Sequence, residues 1–114
     1  MRDDSQRMRD MLDAIGRIEK YTSLGREEFD RNDWMQVWVV HHLQIIGEAA
    51  RVLPDDVRRL APEIEWPKIV GMRNVLVHGY FDIDTEIVWD AASRDAPMLK
   101  PRIERLLQRL EGQR

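Results

Sequence analysis

The segment MRNVLVHGY, residues 72–80, places an arginine, a histidine and a tyrosine along a short apolar run. His78 is suited to general acid–base chemistry near neutral pH, and Arg73 presents a permanent charge and a fork of donors suited to phosphate. Together they could cleave RNA without a metal, because RNA carries its own nucleophile. The histidine would activate the 2′-hydroxyl or protonate the leaving oxygen, and the arginine would stabilise the phosphorane.

Spacing alone leaves the chemistry of Arg73 and His78 undecided. Five residues along an α-helix correspond to about 500° of rotation, so the two side chains diverge by roughly 140°. Either the helix ends before His78, or the pair converges with residues from elsewhere. Asn74 shares a face with His78 and could hold its imidazole by a hydrogen bond. An arginine and a histidine at this spacing also occur by chance, and a helix-terminal histidine is commonly a cap or a surface residue.

The composition fits a single soluble domain. The chain has 114 residues, of which 43% are hydrophobic and 34% are charged, and it has no cysteine. The absence of cysteine excludes a disulfide framework and a cysteine-based zinc site. The longest uncharged apolar stretch is about half a membrane span, and the charged N-terminus has no secretory h-region. A cytoplasmic protein without membrane association is expected.

The charge balance bears on the class of partner. A net charge of −3 argues weakly against a protein coated in nucleic acid. Arginine nevertheless outnumbers lysine by 15 to 3, and arginine makes planar bidentate contacts to phosphate. A local arginine patch could therefore still bind a phosphate backbone. Arg26, Arg31 and Arg51 are candidates for such a patch, and the sequence does not distinguish them from a solvated helix face.

Helical periodicity runs through the chain, and no segment has a convincing strand pattern. It predicts helices over residues 5–23, from Asp33 as N-cap to 53, and from Trp66-Pro67 to 78. The charged stretch REEFDRND, residues 26–33, and the polar residues 54–65 are predicted to connect them. Phe29 anchors the first connection, and the second contains one helical turn. A fourth helix capped by Asp84 is interrupted at Pro97, where a fifth begins. The prediction is an all-α antiparallel four-helix bundle, one domain over residues 1–114.

The predicted second helix carries an unusually wide apolar face. Its apolar residues cover nearly half the circumference, whereas a helix that faces one core needs a stripe somewhat over 100° wide. An oligomer interface would explain the excess, and so would a central, nearly buried position. The sequence does not choose between these interpretations.

Four stretches together resemble the HepT-like toxin family of HEPN domains. They are FDRND, LQIIGEAARVL, PEIEWPKIVGMRNVLVHGYFDID and VWD. RNVLVHGY matches the family's R-x4-H-x-Y motif, IIGEAA is a second hallmark, and the resemblance spans roughly residues 8–110. The departures are minor: Glu65 stands where a proline commonly precedes Trp66, and Pro67 follows it.

The resemblance implies a homodimer in which two motifs face each other across a shared cleft. It implies metal-independent endoribonuclease activity, with Arg73 and His78 as the catalytic pair, Asn74 orienting the site, and no cofactor. The implied partner is an MNT-type nucleotidyltransferase antitoxin that transfers AMP from ATP onto Tyr80. An adenylate at that position would block RNA phosphates by bulk and like charge. The other interpretation of Tyr80 is an aromatic side chain that packs on the loop.

Other polar residues receive weaker assignments. Glu48 could reach the cleft and hydrogen-bond Arg73 or the partner chain, or it could form a purely structural ion pair. His42 is expected in the core, and His41 is intermediate. A metal site from these three residues is not expected, because adjacent histidines on a helix point about 100° apart. The four tryptophans are expected in the core or at an interface.

Two further functions compete with the ribonuclease toxin. The chain could be a non-catalytic HEPN module that binds a nucleotide or a nucleotidyltransferase partner. It could also be a structural dimeric bundle with a vestigial motif. The complete motif favours the ribonuclease, whereas the acidic net charge mildly favours the alternatives.

Overall fold

A computed structural model of the protein describes residues 3–77 and 83–113, and at 74–77 it describes the backbone alone. The helices are α1 (Asp4–Thr22), α2 (Arg26–Arg31), α3 (Asp33–Val52), α4 (Asp55–Arg58), α5 (Trp66–Val77), α6 (Thr85–Asp90) and α7 (Ala96–Gly112). A π-helical segment, Ala91–Asp95, joins α6 to α7. These ranges contain no strand, and the all-α prediction is confirmed.

The region between α1 and α3 differs from the prediction in two respects. The expected charged connection contains a helix, α2, which Gly25 precedes with a φ of 94°. Phe29 anchors this helix as expected, and its side chain is fully buried. The N-cap of α3 is Asn32 rather than Asp33, because the extended Asn32 accepts a hydrogen bond from the Met35 N–H at 3.0 Å. Asp33 instead lies in the first turn, where its charge suits the helix dipole.

The connection from α3 to α5 is fixed by hydrogen bonds to carbonyl groups. Its single predicted helical turn is confirmed as α4. Arg58 donates from Nη2 to the carbonyls of Ala50 and Arg51 at 2.9 and 2.8 Å, which satisfies the C-terminal end of α3. Trp66 donates from its indole nitrogen to the carbonyls of Arg58 and Ala61, both at 3.1 Å. These bonds fix where α5 begins, and Pro67 is its second residue.

The last helix is not broken at Pro97, because α6, the π-helical turn and α7 follow one another without a gap, and the irregular turn lies before the proline. Asp84 caps α6 as expected, since its side chain accepts from the N–H groups of Glu86 and Ile87. The following π-helical turn bonds the Ala96 N–H to the Ala91 carbonyl, five residues back. Proline lacks an N–H and crowds the carbonyl four residues earlier, so a wider turn relieves the crowding without breaking the helix.

Ion pairs establish the antiparallel arrangement of the first and last helices. Arg9 near the start of α1 pairs with Glu111 at the end of α7. Glu19 near the end of α1 pairs with Lys100 near the start of α7, at 3.4 Å. Both pairs are half exposed, so they report geometry more than stability.

Helix α3 lies at the centre of the fold, between α1 and α5. Most of its wide apolar face is buried within the chain, including Val39, Leu43 and Ile46. The central-helix interpretation therefore accounts for most of that face. Trp34 and Trp38 are exceptions, with 77% and 48% of their surface exposed.

His42 is a core residue, as predicted. Only 6% of its surface is exposed, and its Nδ1 lies 2.6 Å from the Trp38 carbonyl oxygen. A carbonyl only accepts, so Nδ1 carries the proton in this contact. Among the helices in the described ranges, none has the length and apolar character needed to cross a membrane.

Candidate functional site

Arg73 lies on α5, on the side that meets α3. Its Nε is 2.6 Å from Oε2 of Glu48, and the two side chains are 42% and 45% exposed. The arginine is thus held at the surface by a carboxylate on the neighbouring helix. The contact engages Nε of the guanidinium, and an arginine has two further nitrogens that can donate to an anion.

Glu48 also pairs with Arg51, one turn further along α3. Arg51 Nη2 donates to Oε1 at 2.6 Å, and Arg51 Nε donates to Oε2 at 3.2 Å. The carboxylate therefore bridges two guanidinium groups. Hydrogen bonds from Arg51 lower the pKa of Glu48, with smaller contributions from the charges of Arg51 and Arg73, while partial burial opposes them. Glu48 is consequently ionised at neutral pH and acts only as an acceptor.

Gly47 allows α3 and α5 to approach closely at this point. A Cβ atom on Gly47 would lie 2.9 Å from the Arg73 backbone nitrogen, 3.0 Å from the Arg73 Cβ and 3.2 Å from the Ile69 carbonyl oxygen. Two of these are backbone atoms and cannot turn aside. The glycine therefore fits the turn that carries Arg73, and Glu48 follows it directly. Gly47 has no predicted role of its own and belongs only to the IIGEAA stretch. An isolated glycine inside an apolar helical pattern was the available signal.

The structure brings together two of the predicted site residues. Arg73 and Glu48 are in contact within one chain, and this contact fits both a functional and a purely structural ion pair. Asn74 belongs to the described backbone of α5, but its side chain lies outside the described part. His78 and Tyr80 lie outside the described residues altogether. The roles of all five residues therefore remain predictions.

Only one of the three candidate phosphate-track arginines joins the Arg73 cluster through a described contact. Arg51 does so through Glu48. Arg26 pairs with Asp30 at 2.9 Å on its own helix, and its guanidinium lies 5.9 Å from the Trp89 ring centroid.

Arg31 pairs with Glu28, also within α2, at 2.6 Å.

The exposed face of α3 leads toward this cluster. Trp34, Trp38, His41, Ile45 and Glu48 are spaced by three or four residues and lie within roughly 80° of the helix circumference. The Trp38 and His41 rings make an edge contact with centroids 5.8 Å apart. The described residues contain no group of three or more His, Asp or Glu side chains placed to hold a metal ion.

Comparison with known proteins identifies the family. A family model described as "Ribonuclease HepT-like" matches residues 11–106. A Thermococcus cleftensis protein named "Probable ribonuclease HepT" is 38% identical over 100 residues, which cover 87% of this chain and 91% of the relative. A Methanocaldococcus jannaschii protein named "Putative RNase" is 34% identical over 96 residues, 83% of this chain and 88% of its own.

A third relative, from Caldanaerobacter subterraneus, also carries the name "Putative RNase". It is 32% identical over 92 residues, which cover 81% of this chain and 82% of the relative. No solved structure shows a significant match to the chain.

A small all-α chain with an arginine held at its surface and a histidine five residues further along fits the HEPN class of helical domains. Within that class, the chain belongs to the HepT-like family of ribonucleases.

Proposed function

We propose that this protein is a metal-independent endoribonuclease and the toxin of a toxin–antitoxin module. The observation that carries the proposal is Arg73, presented half exposed and held by Glu48, in a chain whose similar relatives are named as ribonucleases. An arginine fixed through Nε keeps donors for a phosphate and for the charge that develops on a phosphorane.

In the proposed reaction His78 exchanges protons with the RNA while Arg73 binds the scissile phosphate. The 2′-oxygen attacks phosphorus and loses its proton to a base, and the bond to the 5′-oxygen breaks as that oxygen gains a proton. The products are a 2′,3′-cyclic phosphate and a 5′-hydroxyl. Histidine serves as base or acid in this scheme because its pKa lies near neutral pH.

The proposed active form is a homodimer with the two sites near its axis. An apolar stripe runs along α3 from Trp34 to Ile45 and exposes two indoles to solvent. Glu48 lies three residues after the end of this stripe. Large exposed apolar groups in a row typically mark an interaction surface. A twofold contact along this stripe would bring two Arg73–Glu48 clusters close together. In such a shared site, Arg73 and His78 of one helix would not need to converge on each other, although their side chains diverge by roughly 140°.

The proposed antitoxin is an MNT-type nucleotidyltransferase that modifies Tyr80. The phenol oxygen would attack the α-phosphorus of ATP and release pyrophosphate, leaving AMP on the tyrosine. The bulky anion would stand two residues from His78 and repel RNA phosphates. The R-x4-H-x-Y motif supports this part of the proposal.

Expression in a bacterial host tests the toxin and its site. We expect the wild type to inhibit growth, and Arg73→Ala and His78→Ala to abolish inhibition while circular dichroism and solution size stay unchanged. Growth inhibition by both folded variants would contradict the proposed catalytic pair.

Co-expression with the neighbouring gene, if it encodes a nucleotidyltransferase, tests the modification. A gain of one or more AMP units mapped to Tyr80, coincident with loss of toxicity, is the expected result. Loss of toxicity without a mass change would indicate steric capping instead.

A non-catalytic binding module is the second candidate, favoured by the net charge of −3. In that case the purified wild type would cut no RNA, and Arg73→Ala would lose nucleotide or partner binding.

A further inference from the structure

Arg51 lies beside the Arg73 site and has no role in the chemistry proposed above. Its guanidinium grips Glu48 with two hydrogen bonds, one to each carboxylate oxygen. Oε2, the oxygen that accepts from Arg51 Nε, also forms the ion pair with Arg73, at 2.6 Å from its Nε. A two-point grip fixes the plane of a carboxylate as well as its position. The orientation of Oε2 toward α5 therefore depends on Arg51.

We propose that Arg51 is a positioning residue that acts through Glu48 on Arg73. The inference rests on the proposed function of the Arg73 site. Arg51 holds the carboxylate, the carboxylate holds Nε of Arg73, and Arg73 is left oriented for phosphate. Without the grip, Glu48 would rotate freely at a site where it is 45% exposed, and Arg73 would lose its fixed direction.

Charge supports the same arrangement. The described charged groups that face Glu48 are Arg51 on its own helix and Arg73 on α5, and Arg51 contributes most to lowering the pKa of the carboxyl group. Removing Arg51 should raise that pKa toward its ordinary value. Glu48 would then lose its charge, and its hold on Arg73, at a higher pH than in the wild type.

A matched control exists on α2. Arg31 grips Glu28 at the same three-residue spacing, with Nε–Oε2 and Nη2–Oε2 distances of 2.8 and 2.6 Å. That carboxylate accepts also from Asn32, and no described contact joins it to Arg73. Arg31→Gln therefore removes an equivalent surface ion pair without touching the relay.

The first experiment compares RNA cleavage by wild type, Arg51→Gln, Glu48→Gln, the double variant and Arg31→Gln. We expect Arg51→Gln to lower kcat about tenfold with little change in KM. A small displacement of a phosphate-binding group slows the chemical step more than it weakens the binding of RNA. The double variant should match Glu48→Gln alone, since Arg51 acts through Glu48. Arg31→Gln should keep the wild-type kcat whatever its effect on KM, because no described contact joins the Arg31–Glu28 pair to Arg73.

Two outcomes would overturn the inference. If Arg51→Gln raises KM and reduces the salt dependence of RNA binding by about one phosphate contact, Arg51 binds RNA directly. If it behaves like Arg31→Gln, the Arg51–Glu48 pair is only structural. Arg51→Lys serves as the second variant should Arg51→Gln unfold. Lysine keeps the charge but not the fork, so we expect only partial activity.

A second measurement separates this inference from the ribonuclease proposal. The Nε–H resonance of Arg73, assigned by its loss in Arg73→Lys, should exchange slowly in wild type and Arg31→Gln and faster in Arg51→Gln. A titration of the Glu48 carboxyl carbon should show a raised pKa in Arg51→Gln. These signals need no RNA, so they decide the positioning role even if the wild type cuts none. Unchanged exchange and an unchanged pKa would refute it.

Discussion

At the scale of single residues, the Glu48 carboxylate is the group that contacts Arg73. It is ionised, half exposed and shared by two guanidinium groups. Exposed ion pairs contribute little to stability, typically under about 1 kcal/mol. The role that we propose for this pair is orientation, because a contact at Nε would limit the directions in which the guanidinium can point.

Glu48→Gln should therefore have a small, pH-dependent effect on stability. The pKa of Glu48 is lowered in the folded protein, so its stabilising contribution is complete above the unfolded pKa of about 4.3 and disappears as pH falls through the lowered folded value. We expect the variant to lose under about 1 kcal/mol of unfolding free energy at pH 7 and nothing well below pH 4. Urea denaturation at several pH values measures this. A difference that persists or grows in acid would contradict the assignment.

A contact between Glu48 and Arg73 was one of the alternatives that the sequence left open, but the second arginine on that carboxylate could not be predicted. Arg73 and Glu48 follow from the motif and from IIGEAA. The sequence does not show which arginine joins them, because Arg26, Arg31 and Arg51 all have acidic residues close by in the sequence. The first two pair within α2, and only the packing of α3 against α5 places Arg51 and Arg73 on one carboxylate.

At the scale of elements, the site depends on how closely α5 approaches α3. Gly47 supplies the space, and the carbonyl-bound Arg58 and Trp66 fix the connection that leads into α5. A glycine in a helix interior costs about 1 kcal/mol relative to alanine. That cost is offset here by a helix contact that a side chain would prevent.

Gly47→Ala should destabilise the protein, in contrast to Gly16→Ala. A methyl group at Gly47 meets α5 backbone, and overpacking of this kind costs about 1–3 kcal/mol against a propensity gain of about 1. Gly16 lies on α1 with nothing within 4 Å of an added Cβ, so alanine there should stabilise by up to about 1 kcal/mol. Chemical denaturation compares the two variants. Equal stabilisation by both would show that the close approach does not matter.

The long helices could be predicted from periodicity, whereas the short helix α2 and details that depend on competing local bonds could not. Asn32 caps the N-terminus of α3 although its neighbour Asp33 is of an equally suitable residue type, so the sequence alone does not identify the cap. The charged segment REEFDR formed α2 because Phe29 is buried and its charged residues pair at helical spacing. Pro97 predicted an interruption, but a π-helical turn accommodates the proline within one continuous path.

At the scale of the whole molecule, folding leaves Trp34 and Trp38 largely exposed while burying most of the remaining apolar face of α3. Each indole that stays in water forgoes up to a few kcal/mol of burial free energy. The apolar count of α3 could be read from the sequence. How much of it α1 and α5 cover depends on the assembled fold, and this is why two explanations of the face remained open.

Replacing both tryptophans should dissociate the proposed homodimer. We expect the wild type to be a dimer at micromolar concentration and Trp34→Ser/Trp38→Ser to be a folded monomer, because the variant removes the apolar stripe. Light scattering coupled to size exclusion measures the mass. Met98→Ser, at a residue on α7 that is 58% exposed, is the control and should stay dimeric. A wild-type monomer, or a double variant that remains dimeric, would contradict the proposed interface.

Cleavage of RNA by the purified chain in excess EDTA tests the central claim most directly. The substrate is an end-labelled single-stranded RNA, with DNA of the same sequence as control. The account predicts that wild type cuts the RNA, leaves 2′,3′-cyclic phosphate ends and spares the DNA, and that folded Arg73→Ala and His78→Ala variants cut neither. The account would be contradicted if the folded wild-type dimer left the RNA intact, or if the two variants cut it as fast as the wild type.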